Sequence, residues 1–265
     1  MTKNSIFSIT VLVVCIVVII FGKQYWDNKI HATTLQSEKS NPVDQVQKQD
    51  DQAQKDKESL AAKTWLGKVN PKVAFIGSGG AAGTGSSSYE QSWAGKLEQA
   101  FRQTNPDVQV KNVAKNGYKT SDVKDKGELQ EVISFKPDVI IFELSSIDDY
   151  AASVEVTKSE QTIQSLVSAF KQMNPDVRIV FMPSNEETAL DTKKRNGLTY
   201  SEYVSAIGSY IQSNGWNYID YWSAFEQKRK AANLKISNTL TDGIHPNDKG
   251  HELIFASIQD YFVKK

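Results

Sequence analysis

The first strong pattern along the chain is hydrophobic. Ser5 to Gly22, SIFSITVLVVCIVVIIFG, runs 18 residues without a charge, between Lys3 and Lys23. A helix of that length just spans the apolar core of a bilayer. No small-residue cleavage site follows Phe21, so residues 1–22 are expected to be an uncleaved transmembrane anchor, with a cleaved signal as the alternative. Both readings export the rest of the chain. The flanking lysines are too evenly placed to set orientation, so a single-pass protein of the cell membrane with an extracytoplasmic domain is expected from architecture alone. Cys15 lies inside the run after the bulky Val14, which argues for a cysteine buried in the anchor helix and against a lipid-modified one.

Residues 23–61 lose the pattern. QVQKQDDQAQKDKES mixes Gln, Asp and Lys with no apolar stripe. Such a segment buries too little surface to offset its ordering entropy and is expected to be a polar, disordered linker.

A globular pattern begins near Trp65 and defines a domain over 62–265. Short apolar runs at 73–77 (VAFIG), 108–114 (VQVKNVA), 138–144 (DVIIFEL), 177–183 (VRIVFMP) and, more weakly, 217–220 (NYID) predict strands. Helices are predicted over 89–103, 157–173, 199–213 and 248–262; in the second, Ile163, Leu166, Val167, Phe170 and Met173 recur at helical spacing. Strand–helix alternation predicts an α/β fold with a mainly parallel sheet of about five strands between two helical layers.

Composition removes several functions. With 31 basic and 31 acidic residues the formal net charge is +0, which gives no support for nucleic-acid binding. A single cysteine excludes an intramolecular disulfide, and no Cys/His cluster has zinc spacing, so neither metal nor cofactor is implied. Any histidine chemistry must come from His31, His245 or His251.

The glycine-rich stretch FIGSGGAAGTG, 75–85, follows the first strand, at the edge where open α/β sheets bind ligands. A dinucleotide site would need an acidic residue after the second strand, which ends Val113-Ala114-Lys115-Asn116; it would also need a helix opening inside the motif, where a continuing loop is expected. A phosphate loop would need lysine after the glycines, and none occurs between Lys72 and Lys96. A nucleophile turn needs a base and a group that orients it. LTDGIHPNDKGHE supplies Asp242 and His245 three residues apart on a glycine-containing turn before the last helix.

Four blocks in order carry a resemblance: the glycine/serine turn after strand one, NVAKNG after strand two, PDVIIFELSSIDD at strand three, and DGIHPNDKGH near the end. Together, across roughly 72–263, they resemble the SGNH (GDSL-like) hydrolases. The resemblance implies a flavodoxin-like α/β/α sandwich and hydrolysis of esters, including O-acetyl groups on carbohydrates, through Ser, His and Asp. It places Asp242 and His245 in the base pair and Gly117 among the oxyanion donors. Its first block places Gly79 on the nucleophilic serine and Ser78 one position upstream. Its third block places Ile147 on the donor asparagine, or Asp148 after a one-residue shift; Ser145 and Ser146 are substitute donors. The partners implied are a small-molecule or carbohydrate ester and, through residues 5–22, a membrane. Trp93, Tyr118, Tyr150 and Trp222 are aromatic candidates for the cleft.

Two functions follow. In the first, Ser78 attacks, His245 is the general base, Asp242 orients it, and Gly79, Gly117 and Ser146 line an oxyanion hole with Asp148 close by. In the second, the cleft is catalytically impaired because Gly79 stands where the serine should, and it binds a cell-surface glycan or protein.

Overall fold

The computed structural model describes residues 21–29, 51–58, 64–187 and 189–263. The anchor expected over 1–22, with Cys15, lies outside these residues except for Phe21 and Gly22, and His31 also lies outside them. No helix among the described residues is long and apolar enough to cross a membrane. The chain divides into two units, Met1–Lys57 and Glu58–Lys265. Residues 21–29 are helical and exposed. Residues 51–58, expected within a disordered linker, are also an exposed helix. Gln, Ala, Lys and Glu are good helix formers, and Gln52 Nε2 donates to Asp56 Oδ1 (2.8 Å) across one turn.

The second unit is built on five parallel strands in the order β2-β1-β3-β4-β5. They are β1 Lys72–Gly77, β2 Gln109–Asn112, β3 Val139–Glu143, β4 Arg178–Met182 and β5 Asn217–Tyr218. β2 to β5 lie within their predicted runs, and β1 starts one residue before its run. Successive residues of a strand face opposite sides, and both sides here are apolar because both are covered. Ala74, Ile76, Ile140, Phe142 and Phe181 meet one helical layer. Val73, Phe75, Ile141, Val180 and Met182 meet the other.

The helices are α1 Gly79–Ala82, α2 Trp93–Thr104, α3 Thr120–Asp125, α4 Glu128–Phe135, α5 Ser146–Ala151, α6 Val156–Met173, α7 Tyr200–Ser213, α8 Trp222–Ala231 and α9 Asp248–Val263. Side chains of α3, α4, α6 and α7 fill the first layer; those of α2, α8 and α9 fill the second. The helix predicted from Tyr89 is interrupted: a 3₁₀ turn, Tyr89–Gln91, precedes Ser92, whose extended backbone and Oγ, accepting from Gly95 N (3.0 Å), start α2. Periodicity missed α3 and α4, which are six and eight residues long, too short for an apolar stripe to repeat.

Strand order reverses between β1 and β3. The loops leaving their carboxyl ends therefore diverge and open a crevice. FIGSGGAAGTG leaves β1 there, and Leu144 to Asp149 leaves β3.

Candidate active site

The glycine turn holds a short helix where a continuing loop was expected. Ser78, at φ −106° and ψ −151°, is the N-cap of α1, and its Oγ accepts from Gly79 N (2.6 Å). Gly77 is required at the strand end: its φ is +121°, and a Cβ would land on the Glu143 carbonyl oxygen. Gly80 is required for packing, because a Cβ would land on Glu143 Oε1. Glu143, the last residue of β3, lies buried beneath the turn and accepts from Ala81 N (2.5 Å). Burial pushes its carboxyl up to about 8, with the nearby Asp148 charge adding to the rise.

The base pair forms. His245 Nδ1 stands 2.7 Å from Asp242 Oδ2, and Asp242 Oδ1 accepts from the backbone N–H groups of His245 (2.8 Å) and Ile244 (3.0 Å). The backbone donor of His245 and then its imidazole hold Asp242 well below the usual carboxylate range. An ionised Asp242 keeps a proton on Nδ1, which leaves Nε2 as the acceptor facing the crevice. The turn is fixed from both sides. Thr241 N donates to His245 O (2.8 Å), and Thr241 Oγ1 donates to Gly85 O (2.8 Å). Gly85, at φ +90°, passes so close that a Cβ would meet Pro246 O and His245 Cβ.

Ser78 and His245 are not joined. Ser78 Oγ donates to Asp148 Oδ2 (2.8 Å), and His245 Nε2 pairs with Asn116 Oδ1 (3.1 Å). The residue that faces the base is Gly79. A Cβ built there lies 3.3 Å from His245 Cδ2 and 3.5 Å from Nε2. Adjacent residues direct their side chains differently, so the hydroxyl one place upstream points to Asp148 of α5 while the position facing the imidazole has no side chain.

Of the candidate oxyanion donors, Gly117 is exposed at φ +76° on the loop after β2, next to Asn116. Ile147 packs against the first core layer and offers no donor. Asp148 accepts from Ser78; burial raises its pKa, while that hydroxyl and the His245 charge oppose the rise. Ser145 and Ser146 Oγ are buried without a hydrogen-bond partner, which leaves the hydroxyl of Ser146, first residue of α5, free to donate. Of the aromatic candidates, Trp93 and Tyr150 are core, and Trp222 Nε1 donates to Ser184 O (2.9 Å).

His251 has a structural role. It is fully buried, Trp93 N donates to its Nδ1 (3.3 Å), and its Nε2 stands 3.1 Å from Thr84 O. This fixes the neutral Nε2–H tautomer and ties α9 to the end of the glycine turn. Burial lowers its pKa to about 4. Sequence reasoning missed Asn116 and Glu143. Glu143 had a signal: it is the one charge in the apolar run VIIFEL. Asn116 had only a positional one: it lies in the NVAKNG block beside Gly117, where Asn-Gly reads simply as a turn.

No curated protein matches the chain. Solved structures do. A two-domain esterase active on acetylated mannans is 21% identical at TM-score 0.57, covering 72% of this chain and 48% of that one; this chain thus spans about half of that protein. A catalytic mutant of an acetylxylan esterase from Geobacillus stearothermophilus is 19% identical at TM-score 0.56, covering 74% and 95%. A GDSL-like lipase from Parabacteroides merdae is 17% identical at TM-score 0.56, covering 72% and 95%. These likenesses show the fold. Residues 75–253, more than half of the chain, match the family model described as GDSL-like lipase/acylhydrolase, and the chain belongs to that family.

Proposed function

We propose that the protein is a membrane-anchored, extracytoplasmic cleft for ester-bearing carbohydrates, in which hydrolysis is slow because Gly79 faces the base. The observation that carries this is the 3.5 Å between a Cβ at Gly79 and His245 Nε2. A base and its orienting carboxylate are assembled, but the side chain they would activate is missing. Residual hydrolysis then runs through water. The proton of a water beside Nε2 passes to His245 as the oxygen attacks the ester carbonyl, and His245 returns it to the departing alcohol. Gly117 N–H and the Ser146 hydroxyl, which makes no hydrogen bond in the resting protein, are the donors this reading assigns to the developing oxyanion.

Two features support the ligand class. The acetylated polysaccharides named for the mannan and xylan esterases are ester-bearing carbohydrates. Next to Gly85, which packs against His245, lies a shallow, open depression of about 440 Å³ lined by Gly85, Ser86, Ser87, Asn247, Asp248 and Lys249, with room for a sugar ring. The helix over 21–29 supports the anchor. Phe21, Tyr25 and Trp26 are 67%, 66% and 62% exposed, and Lys29 Nζ lies 6.0 Å from both the Tyr25 and Trp26 rings. Aromatic and basic residues just beyond an apolar run are those of a membrane interface.

The second reading, attack by Ser78, is favoured by the 2.8 Å contact that holds its hydroxyl on Asp148. Ser78→Ala separates the two. On the proposed reading its p-nitrophenyl acetate turnover stays within about twofold of wild type, whereas losing a true nucleophile costs roughly 100-fold or more. Titration with O-acetylated and de-O-acetylated xylo- and manno-oligosaccharides tests the ligand. Binding of the acetylated forms alone is expected; equal binding of both removes the ester from the proposal.

A further inference from the structure

His245 Nε2, the atom on which the chemistry of the cleft turns, already has a partner inside the protein. Asn116 Oδ1 lies 3.1 Å from it. The same oxygen lies 2.8 Å from the point where a Cβ on Gly79 would stand, and that point is 3.5 Å from Nε2. The amide therefore fills the space between the base and the vacant side-chain position, where an attacking oxygen has to sit. A carboxamide suits the imidazole in both protonation states. It accepts through Oδ1 when Nε2 carries a proton. It donates through Nδ2 after a half-turn of the amide when Nε2 is bare.

We propose that Asn116 is a latch on the base: its amide holds His245 Nε2 in the resting protein, and a water or ligand oxygen must displace it before a proton can transfer. The proposal rests on the reading of His245 as the base. Asn116 is exposed, at the tip of the loop after β2, so the latch opens by side-chain rotation without disturbing the core. The competing assignment makes Asn116 an oxyanion donor in place of the one Ile147 cannot supply. The two assignments predict different outcomes.

Carbethoxylation of His245 by diethylpyrocarbonate tests the latch without requiring turnover. It is followed on the full-length protein at the His245 peptide by mass spectrometry. Asn116→Ala and Asn116→Ser are each expected to raise the rate about fivefold, the worth of one hydrogen bond. Unchanged rates in both variants overturn the latch. In a Gly79→Ser background the new Cβ has already displaced the amide, so Asn116→Ala is expected to leave p-nitrophenyl acetate turnover within about twofold. A fall of about 100-fold there also overturns the latch, since that is the cost of removing an oxyanion donor. If Gly79→Ser shows no turnover, the functional reading fails on its own, and the carbethoxylation rates alone decide the latch.

Discussion

Gly79→Ser will raise hydrolysis of p-nitrophenyl acetate at least about 100-fold in kcat/KM, the low end of what a base-activated group contributes. The change asks little of the fold. Gly79 does not have a left-handed φ, so serine is not strained there. The new Cβ meets no backbone atom within 4 Å among its nearest neighbours. It meets Asn116 Oδ1 at 2.8 Å, the far end of an exposed side chain that can rotate away. From that Cβ an Oγ lies within reach of Nε2, and Asp242 already holds the imidazole in the tautomer that accepts a proton. The same gain should vanish in Gly79→Ser/His245→Ala, because the new serine is inert without its base. The increase should also stop short of a complete triad. Ile147 carries no donor where the family resemblance places an asparagine, and an oxyanion donor is worth about 10²–10³ in kcat. A folded Gly79→Ser protein no faster than wild type would sink the idea that this position silences the site.

Much of this site was legible in the sequence because its chemistry is local. Asp242 and His245 lie three residues apart, so the turn that carries them brings them together whatever surrounds it. The parallel sheet was legible for a related reason: strands covered on both faces, such as Val73–Ile76 and Val139–Phe142, are continuous apolar runs. What sequence could not supply is orientation across the crevice. Whether Ser78 faces His245 depends on the φ and ψ that begin α1, and these follow from Gly77 and Gly80 fitting around Glu143 of another strand. The Asn116–His245 contact spans 129 positions and leaves no periodicity. Five short or weakly patterned helices were also missed, because α1, α3, α4 and α5 have few turns and α8 is mostly polar around a single buried Phe225.

Stability of the purified protein will fall as pH rises from about 6.5 to 8, and Glu143→Gln will remove most of that fall. Two buried groups, Glu143 and His251, dominate with opposite signs, and the smaller upward shifts of Asp148, Asp149 and Glu187 act in the same direction as Glu143 at lower pH. The Glu143 pKa is raised from an ordinary 4.5 to about 8. Its stabilising contribution is complete below the ordinary value and is lost as pH climbs through the folded one, because unfolding then releases a proton that the folded state retains. The His251 pKa is lowered from 6.5 to about 4. Its contribution is complete above 6.5 and is lost as pH drops towards 4. Between about 4.5 and 6.5 the two slopes oppose and largely cancel; above 6.5 only Glu143 remains, with a limiting slope of about 1.4 kcal/mol per pH unit. The fall from pH 6.5 to 8 is then about 2 kcal/mol, a large share of the 5–15 kcal/mol typical of a domain. Urea midpoints at pH 5.5, 6.5, 7.5 and 8.5 measure it. Glutamine keeps an oxygen for Ala81 N–H but carries no charge, so its profile should rise from pH 4 to 6.5 under His251 and then stay level. A wild-type profile flat to pH 8.5 would mean that the carboxyl beneath the glycine turn titrates like an exposed glutamate. An ionised Glu143 would then sit permanently beside Asp148, and the turn carrying Gly79 would rest on a buried anion at neutral pH.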